Sequence, residues 1–238
     1  GLEVNYGSES NRVLKGYMAF DDAITEPRPG ILVVHEWWGH NDYARRRARM
    51  LAELGYTALA VDMYGEGRQA DHPETAGKFA SEVRKSAGLA EKRFRAALEL
   101  LQQHPTTNPE YIAAIGYCFG GGVVLHMARL GMDLDAVVSF HGSLDTETPA
   151  QPGQVKAKIL VCHCADDPFV SAGVIAAFKE EMKAAGVDCT FHAYPEAVHS
   201  FTNPDADAFG GKFGLPLKYS KTADEASWAD MQAFLKDC

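Results

Sequence analysis

Cysteine is scarce in this 238-residue chain, with five residues at positions 118, 162, 164, 189 and 238. An odd, sparse set without a Cys-x-x-Cys pair is not a disulfide framework, and it points to a reducing, cytoplasmic setting. Positive charge is also short: 23 Lys and Arg against 32 Asp and Glu leave a net charge of −9. A surface of that sign is repelled by phosphate backbones and anionic bilayers, so nucleic acid and membrane are excluded as main partners. The one basic run, Arg45, Arg46, Arg47 and Arg49, falls on a predicted helix and reads as a solvated face. No apolar run approaches the roughly 18 residues that span a bilayer, and no secretory signal is visible. The first residue is Gly1 rather than Met, which leaves room for a removed N-terminal targeting segment.

What is present is an ordinary globular balance, 46% apolar and 23% charged, on a chain long enough to bury a full core without disulfides or metals. No repeat and no linker-like stretch interrupts it, which favours one domain over residues 1–238. Short apolar runs alternate with helix-period segments. Strands are expected at Val13–Phe20 (an edge), Ile31–Val34, Thr57–Val61, Tyr111–Ile115, Ala136–Phe140, Ile159–Cys162 and Val187–Tyr194. Helices are expected at 42–54 with Gly55 as stop, at 119–130, at 171–185 with Gly186 as stop, and at 223–235. A long helical region is expected from Pro73 to Gln103, its apolar positions Phe79, Val83, Ala87, Ala90, Phe94, Ala97, Leu98 and Leu101 recurring in steps of three and four. This order predicts a mostly parallel central sheet with helices on both faces. Residues 202–222, rich in Gly and Pro, read as a long loop, either functional or a plain surface connection.

In such a sheet, ligands gather beyond the carboxyl ends of the strands. The strongest signal there is Gly116-Tyr117-Cys118-Phe119-Gly120, a nucleophile elbow with Cys where Ser is usual. A strained strand-to-helix turn exposes the nucleophile, and flanking small residues let neighbouring backbone pass close. The helix N-terminus that follows favours a thiolate. The turn lacks the Gly-x-Gly-x-x-Gly and Gly-x-x-x-x-Gly-Lys-Ser/Thr phosphate forms, which weakens a nucleotide-dependent reading. A thiolate needs a base, and elbow folds order their residues nucleophile, acid, His. Of the five His after Cys118, His199 alone follows a strand and the candidate acids, in a loop where its ring can reach the sulfur. Asp166 and Asp167 both follow the fifth buried strand, with Asp145 a weaker third, and spacing does not choose between the adjacent pair. Cys162, His163 and Cys164 lack a second ligand pair at zinc-like spacing, so core packing is the better reading and no metal is expected.

With these residues in hand, the chain resembles the dienelactone hydrolase family of α/β-hydrolases. The likeness is carried by Gly116 to Gly121, Asp166-Asp167-Pro168-Phe169-Val170, His199-Ser200-Phe201 and His35-Glu36-Trp37-Trp38-Gly39. The resemblance implies the α/β-hydrolase fold, Cys118 as nucleophile, Asp167 rather than Asp166 as acid, and His199 as base. It implies that Glu36 pairs with the thiol and takes part in its activation when substrate binds. The oxyanion hole would be the N–H groups of Phe119, which the elbow itself places, and Trp37, which rests on resemblance.

The departures bear on substrate. Dienelactone-specific members carry an Arg four residues after the catalytic His, where this chain has Asn203, and a second one in a stretch where it has only Lys78. Without a guanidinium clamp a substrate carboxylate would be held weakly. Trp38, Tyr64, Phe169 and Phe201, with Trp37 and Tyr117, would make an aromatic mouth suited to an apolar ester or lactone. The expectation is therefore a cofactor-free thiol hydrolase of small esters or lactones, monomeric or homodimeric. Its rival is a non-catalytic small-molecule-binding protein on the same fold.

Overall fold

A computed structural model describes residues 1–9, 12–86 and 88–238. Its eight strands are β1 (Leu2–Glu9), β2 (Arg12–Ala19), β3 (Arg28–Val34), β4 (Thr57–Val61), β5 (Thr107–Tyr117), β6 (Ala136–Phe140), β7 (Lys158–Cys164) and β8 (Cys189–Tyr194). The helices are α1 (Asp42–Glu53), α2 (Pro73–Lys85), α3 (Leu89–Gln103), α4 (Phe119–Arg129), α5 (Ala172–Ala184), α6 (Ala206–Phe213) and α7 (Lys221–Lys236). The strands form one sheet in the order β1-β2-β4-β3-β5-β6-β7-β8. The β1–β2 and β2–β4 pairings are antiparallel, whereas β3–β4, β6–β7 and β7–β8 are parallel. The expected mostly parallel sheet with helices is what forms. The chain divides into two compact units, Gly1–Ile115 and Gly116–Cys238.

In the first unit, Ile31 to Val34 and Ala58 to Val61 are fully buried, as continuous apolar strands covered on both faces must be. Helix α1 packs against β2, β3 and β4, and α3 against β1, β3 and β4. Asn41 caps α1, its side chain accepting from the Ala44 N–H. Asp62, at the carboxyl end of β4, is buried and accepts N–H groups from Lys15, Tyr64, Gly65 and Gly67 at 2.7–3.1 Å, which fixes the turn after that strand.

In the second unit, α4 packs on β6, and α7 on β6 and β7. Helix α4 is tied to α5 by Arg129, whose guanidinium donates Nε to Glu181 Oε1 at 2.8 Å and an Nη to Oε2 at 2.9 Å. Glu181 Oε1 also accepts the Ala150 N–H at 2.8 Å.

Three expectations are corrected. The long helical region is two helices: Gly88 takes a left-handed φ of 71° as the cap before α3, a conformation that glycine adopts without steric cost. Ala87, assigned to that region by its periodicity, lies outside the described residues. Residues 202–222 contain helix α6. The strand expected as an edge is interior: β2 pairs with β4 on one side and with β1 on the other, and β1 is the edge.

Arg129 is almost completely buried and Glu181 nearly so, so removing one partner strands the other charge away from water. Glu181→Ala is expected to lower the unfolding free energy by about 3 kcal/mol, read as a lower urea midpoint.

Candidate active site

Cys118 stands alone between β5 and α4, with φ 52° and ψ −114°. A positive φ on a residue with a Cβ is strained and has to be held by its surroundings. Gly116 does much of the holding: a Cβ there would run into the carbonyl of Gly120, in the first turn of α4. The strand end and the helix start therefore lie backbone to backbone. The Cys118 N–H donates to the Phe140 carbonyl at 3.0 Å and to His141 Nδ1 at 3.2 Å. Since His141 Nδ1 accepts, its Nε2 carries the proton and donates to Thr202 Oγ1 at 2.7 Å. Phe119 follows as the first residue of α4, so its N–H sits at the positive end of the helix dipole.

The second unit brings Cys118, His199 and Asp167 together. Cys118 Sγ lies 3.1 Å from His199 Nε2, and His199 Nδ1 lies 2.8 Å from Asp167 Oδ2. Asp167 Oδ1 accepts the Phe169 N–H at 2.9 Å. Of the adjacent acids, Asp167 is buried and Asp166 is exposed, which separates the pair that spacing left open. The backbone of His199 is fastened too. Its carbonyl accepts the Lys218 N–H at 3.3 Å, and the Phe201 carbonyl accepts the Ser220 N–H at 3.0 Å. The stretch expected to be a loop thus works as a backing for the histidine.

Burial is the largest single influence on His199 and lowers its pKa. The charge of Cys118 and the hydrogen bonds to Asp167 and Cys118 outweigh it and raise the pKa from 6.5 to about 10. Burial likewise pushes Asp167 upward, but the His199 contact, the Phe169 N–H and the Cys164 thiol together bring its carboxyl below the ordinary 3.8. The site favours the protonated form of His199 and the ionised form of Asp167.

Two neighbours escaped sequence reasoning. His141 was set aside because it precedes the acid in the chain; only its place directly after β6 could have marked it. Cys164 was assigned to packing, and it is fully buried, yet its thiol lies 3.3 Å from Asp167 Oδ2. Cys164, Asp167 and His199 offer ligand atoms within 4.8 Å of one another. Hydrogen bonds already join the carboxylate to both partners, so the set reads as a hydrogen-bonded chain rather than a metal cage.

The other expected residues fall as follows. Glu36 is buried, and its carbonyl meets His35 Nδ1 at 2.6 Å. Trp37 is half-buried, its carbonyl accepting from Tyr64 Oη at 2.9 Å. Trp38, Tyr64, Tyr117 and Phe201 are at most 1% exposed, so packing, not an open aromatic mouth, is what the structure gives them. Phe169 is 57% exposed, and its ring meets His199 edge-on at 5.0 Å. Asn203 is buried, and its Oδ1 caps the Asp205 N–H at 2.9 Å. Lys78 is exposed on α2 and pairs with Glu74 at 2.8 Å; it holds no buried position suited to clamping a carboxylate.

Residues 14–238 match the profile of the dienelactone hydrolase family. The chain belongs to that family. With it come the α/β-hydrolase fold and the hydrolysis of carboxylic esters or lactones as the class of reaction. The crystal structure of a dienelactone hydrolase-like promiscuous phosphotriesterase from metagenomic libraries superposes with a TM-score of 0.92 at 36% identity, over 99% of this chain and 97% of that one. Protein usf of Aquifex pyrophilus is 29% identical over 74% of this chain and 77% of its own length. A protein of Aquifex aeolicus named as a candidate carboxymethylenebutenolidase is 28% identical over the same shares. Among the described residues, no helix is long and apolar enough to cross a membrane.

Two outcomes are expected. Gly116→Ala should cost about 3 kcal/mol or more of stability, because backbone rather than a movable side chain occupies the space; urea denaturation reads it. For pH, the sign follows from the direction of each shift. His199 binds its proton more tightly when folded, so its contribution is complete below its ordinary 6.5 and is lost as pH rises through about 10. Asp167 contributes above its ordinary 3.8 and loses that contribution as pH falls through its depressed value. Unfolding free energy measured from pH 6 to 11 should decline for the wild type and less steeply for His199→Asn; equal slopes would contradict the assignment.

Proposed function

We propose that this protein is a thiol hydrolase of small carboxylic esters or lactones, working as a single domain through Cys118, His199 and Asp167. The observation that carries the reading is the unbroken chain of contacts from Cys118 Sγ through both nitrogens of His199 to Asp167. It lies on a strained elbow in a member of the dienelactone hydrolase family. The raised pKa of His199 fits a thiolate–imidazolium pair at rest.

In this mechanism the Cys118 thiolate attacks the carbonyl carbon, and the carbonyl electron pair moves onto oxygen. The N–H of Phe119, at the start of α4, receives that oxyanion. As the tetrahedral intermediate collapses, the C–O bond to the leaving group breaks, and the imidazolium of His199 supplies the proton the alkoxide needs. A thioester to Cys118 remains. Neutral His199 then takes a proton from water, the hydroxide adds to the thioester, and the thiolate leaves to give the carboxylic acid product. Asp167 keeps the ring oriented and stabilises its charge. No cofactor enters these steps, and all three members of the triad come from one chain.

For substrate, the exposed Phe169, whose ring meets His199 edge-on, is assigned to an apolar acyl or aryl group. Asn203 and Lys78, standing where family members carry arginines, give no bidentate carboxylate clamp. An uncharged ester or lactone is therefore favoured over a carboxylated dienelactone. A nucleophilic thiol that must stay reduced, together with five free cysteines, supports a reducing, cytoplasmic setting.

Hydrolysis of p-nitrophenyl acetate tests the reading. Cys118→Ala and iodoacetamide treatment should each lower kcat/KM by about a thousandfold or more. Turnover that survives in Cys118→Ala would overturn the mechanism. Tight retention of an ester with an unreactive Cys118 would favour the binding-protein rival.

A further inference from the structure

Asp167 is held by more than the histidine. It follows the last residue of β7 by three positions, and its N–H closes the turn on the Cys164 carbonyl at 3.4 Å. Its side chain folds back so that one oxygen, Oδ2, meets both His199 Nδ1 at 2.8 Å and Cys164 Sγ at 3.3 Å. The other oxygen takes the Phe169 N–H. Alternation along β7 puts Cys162 and Cys164 on one face and His163 on the other, so the register of the strand delivers the thiol to the carboxylate. Burial, followed by the Asp167 charge, pushes the Cys164 thiol well above its ordinary pKa. It stays protonated, and a protonated thiol beside a carboxylate can only donate.

We propose that Cys164 is a positioning residue for the triad: its S–H holds Asp167 Oδ2 in line with His199 Nδ1 and withdraws part of the carboxylate's basicity. The inference rests on the reading of Asp167 and His199 as acid and base. A thiol is a weak donor, so it fixes the oxygen without competing strongly with the imidazole for it. A hydroxyl in the same place would take more of that charge. Few other ionisable groups bear on the pair. Cys118 lies beyond the His199 ring, and His163, on the far face of β7, has its pKa lowered by burial and so stays neutral. Lys179 bears on His163.

Without the S–H, Asp167 gains proton affinity and grips the imidazolium harder while losing its fixed orientation. The gain in Asp167 proton affinity moves the acid limb of activity to higher pH, while the tighter grip on the imidazolium moves the alkaline limb in the same direction. The test compares Cys164→Val, which fills nearly the same space without a donor, with Cys164→Ser, which keeps one; Cys164→Ala replaces the valine variant should valine fail to fold. Two readouts are needed. In p-nitrophenyl acetate hydrolysis, Cys164→Val should lower kcat about tenfold with KM unchanged and shift the acid limb of kcat/KM upward by roughly half a unit to one unit. Cys164→Ser should bring the limb back to the wild-type position or below it. In proton NMR, the His199 Nδ1–H resonance should move downfield in Cys164→Val and return in Cys164→Ser. A wild-type limb and resonance in Cys164→Val would overturn the proposal, as would equal losses in the serine and valine variants. The NMR arm needs no turnover and so separates the two readings: an inactive wild type overturns the hydrolase reading, and a resonance that does not respond to Cys164→Val overturns this one.

Discussion

The close approach of the end of β5 to the first turn of α4 is the constraint on which the site depends. Backbone lies against backbone where Gly116 meets Gly120, and only a residue without a Cβ permits it. That contact holds Cys118 in a conformation that few side chains accept. It also brings the sulfur to the start of a helix, where the dipole favours negative charge. The N–H of Cys118, shared by Phe140 and His141, stops the strained residue from relaxing. Strain at this position is affordable because the strands behind it are buried and rigid.

From that anchored sulfur the polar groups run in a line, each fixed by a different element. His199 is set by the backbone bonds of the segment leading into α7, Asp167 by the turn after β7, and Cys164 by the register of β7 itself. Electrostatics orders the line: burial alone would favour neutral groups, and it is the charge of the neighbours that keeps the imidazole protonated. The same principle operates away from the site, where Arg129 and Glu181 are tolerated in the interior because each satisfies the other.

Much of this was legible in the sequence. The Gly-x-Cys-x-Gly turn declared itself because the geometry it needs admits few residue types, and the order nucleophile, acid, His pointed to Cys118 and His199 while leaving Asp166 and Asp167 open until the family resemblance chose Asp167. Buried strands such as Ile31–Val34 showed as unbroken apolar runs. The failures have physical causes. Helical periodicity continued from α2 into α3, so a break made by one left-handed glycine was hidden within an unbroken pattern. Helix α6 is short and glycine-containing, and propensity alone argued against it. Aromatic residues next to the site motifs looked like a ligand surface, but proximity in sequence does not say which face of a strand or loop is covered. His141 and Cys164 were passed over for a related reason: a residue that acts by holding another has no motif of its own.

The fastening of His199 through main-chain bonds to Lys218 and Ser220 has an evolutionary meaning. Because those bonds involve no side chain, exposed positions of the intervening segment can change while the imidazole stays where it is; Gly210, where a Cβ would meet the Leu217 carbonyl, and Thr202, bonded to His141, are its fixed points. Relatives that share this elbow could then diverge in what they admit to the site without having to rebuild the machinery that acts on it.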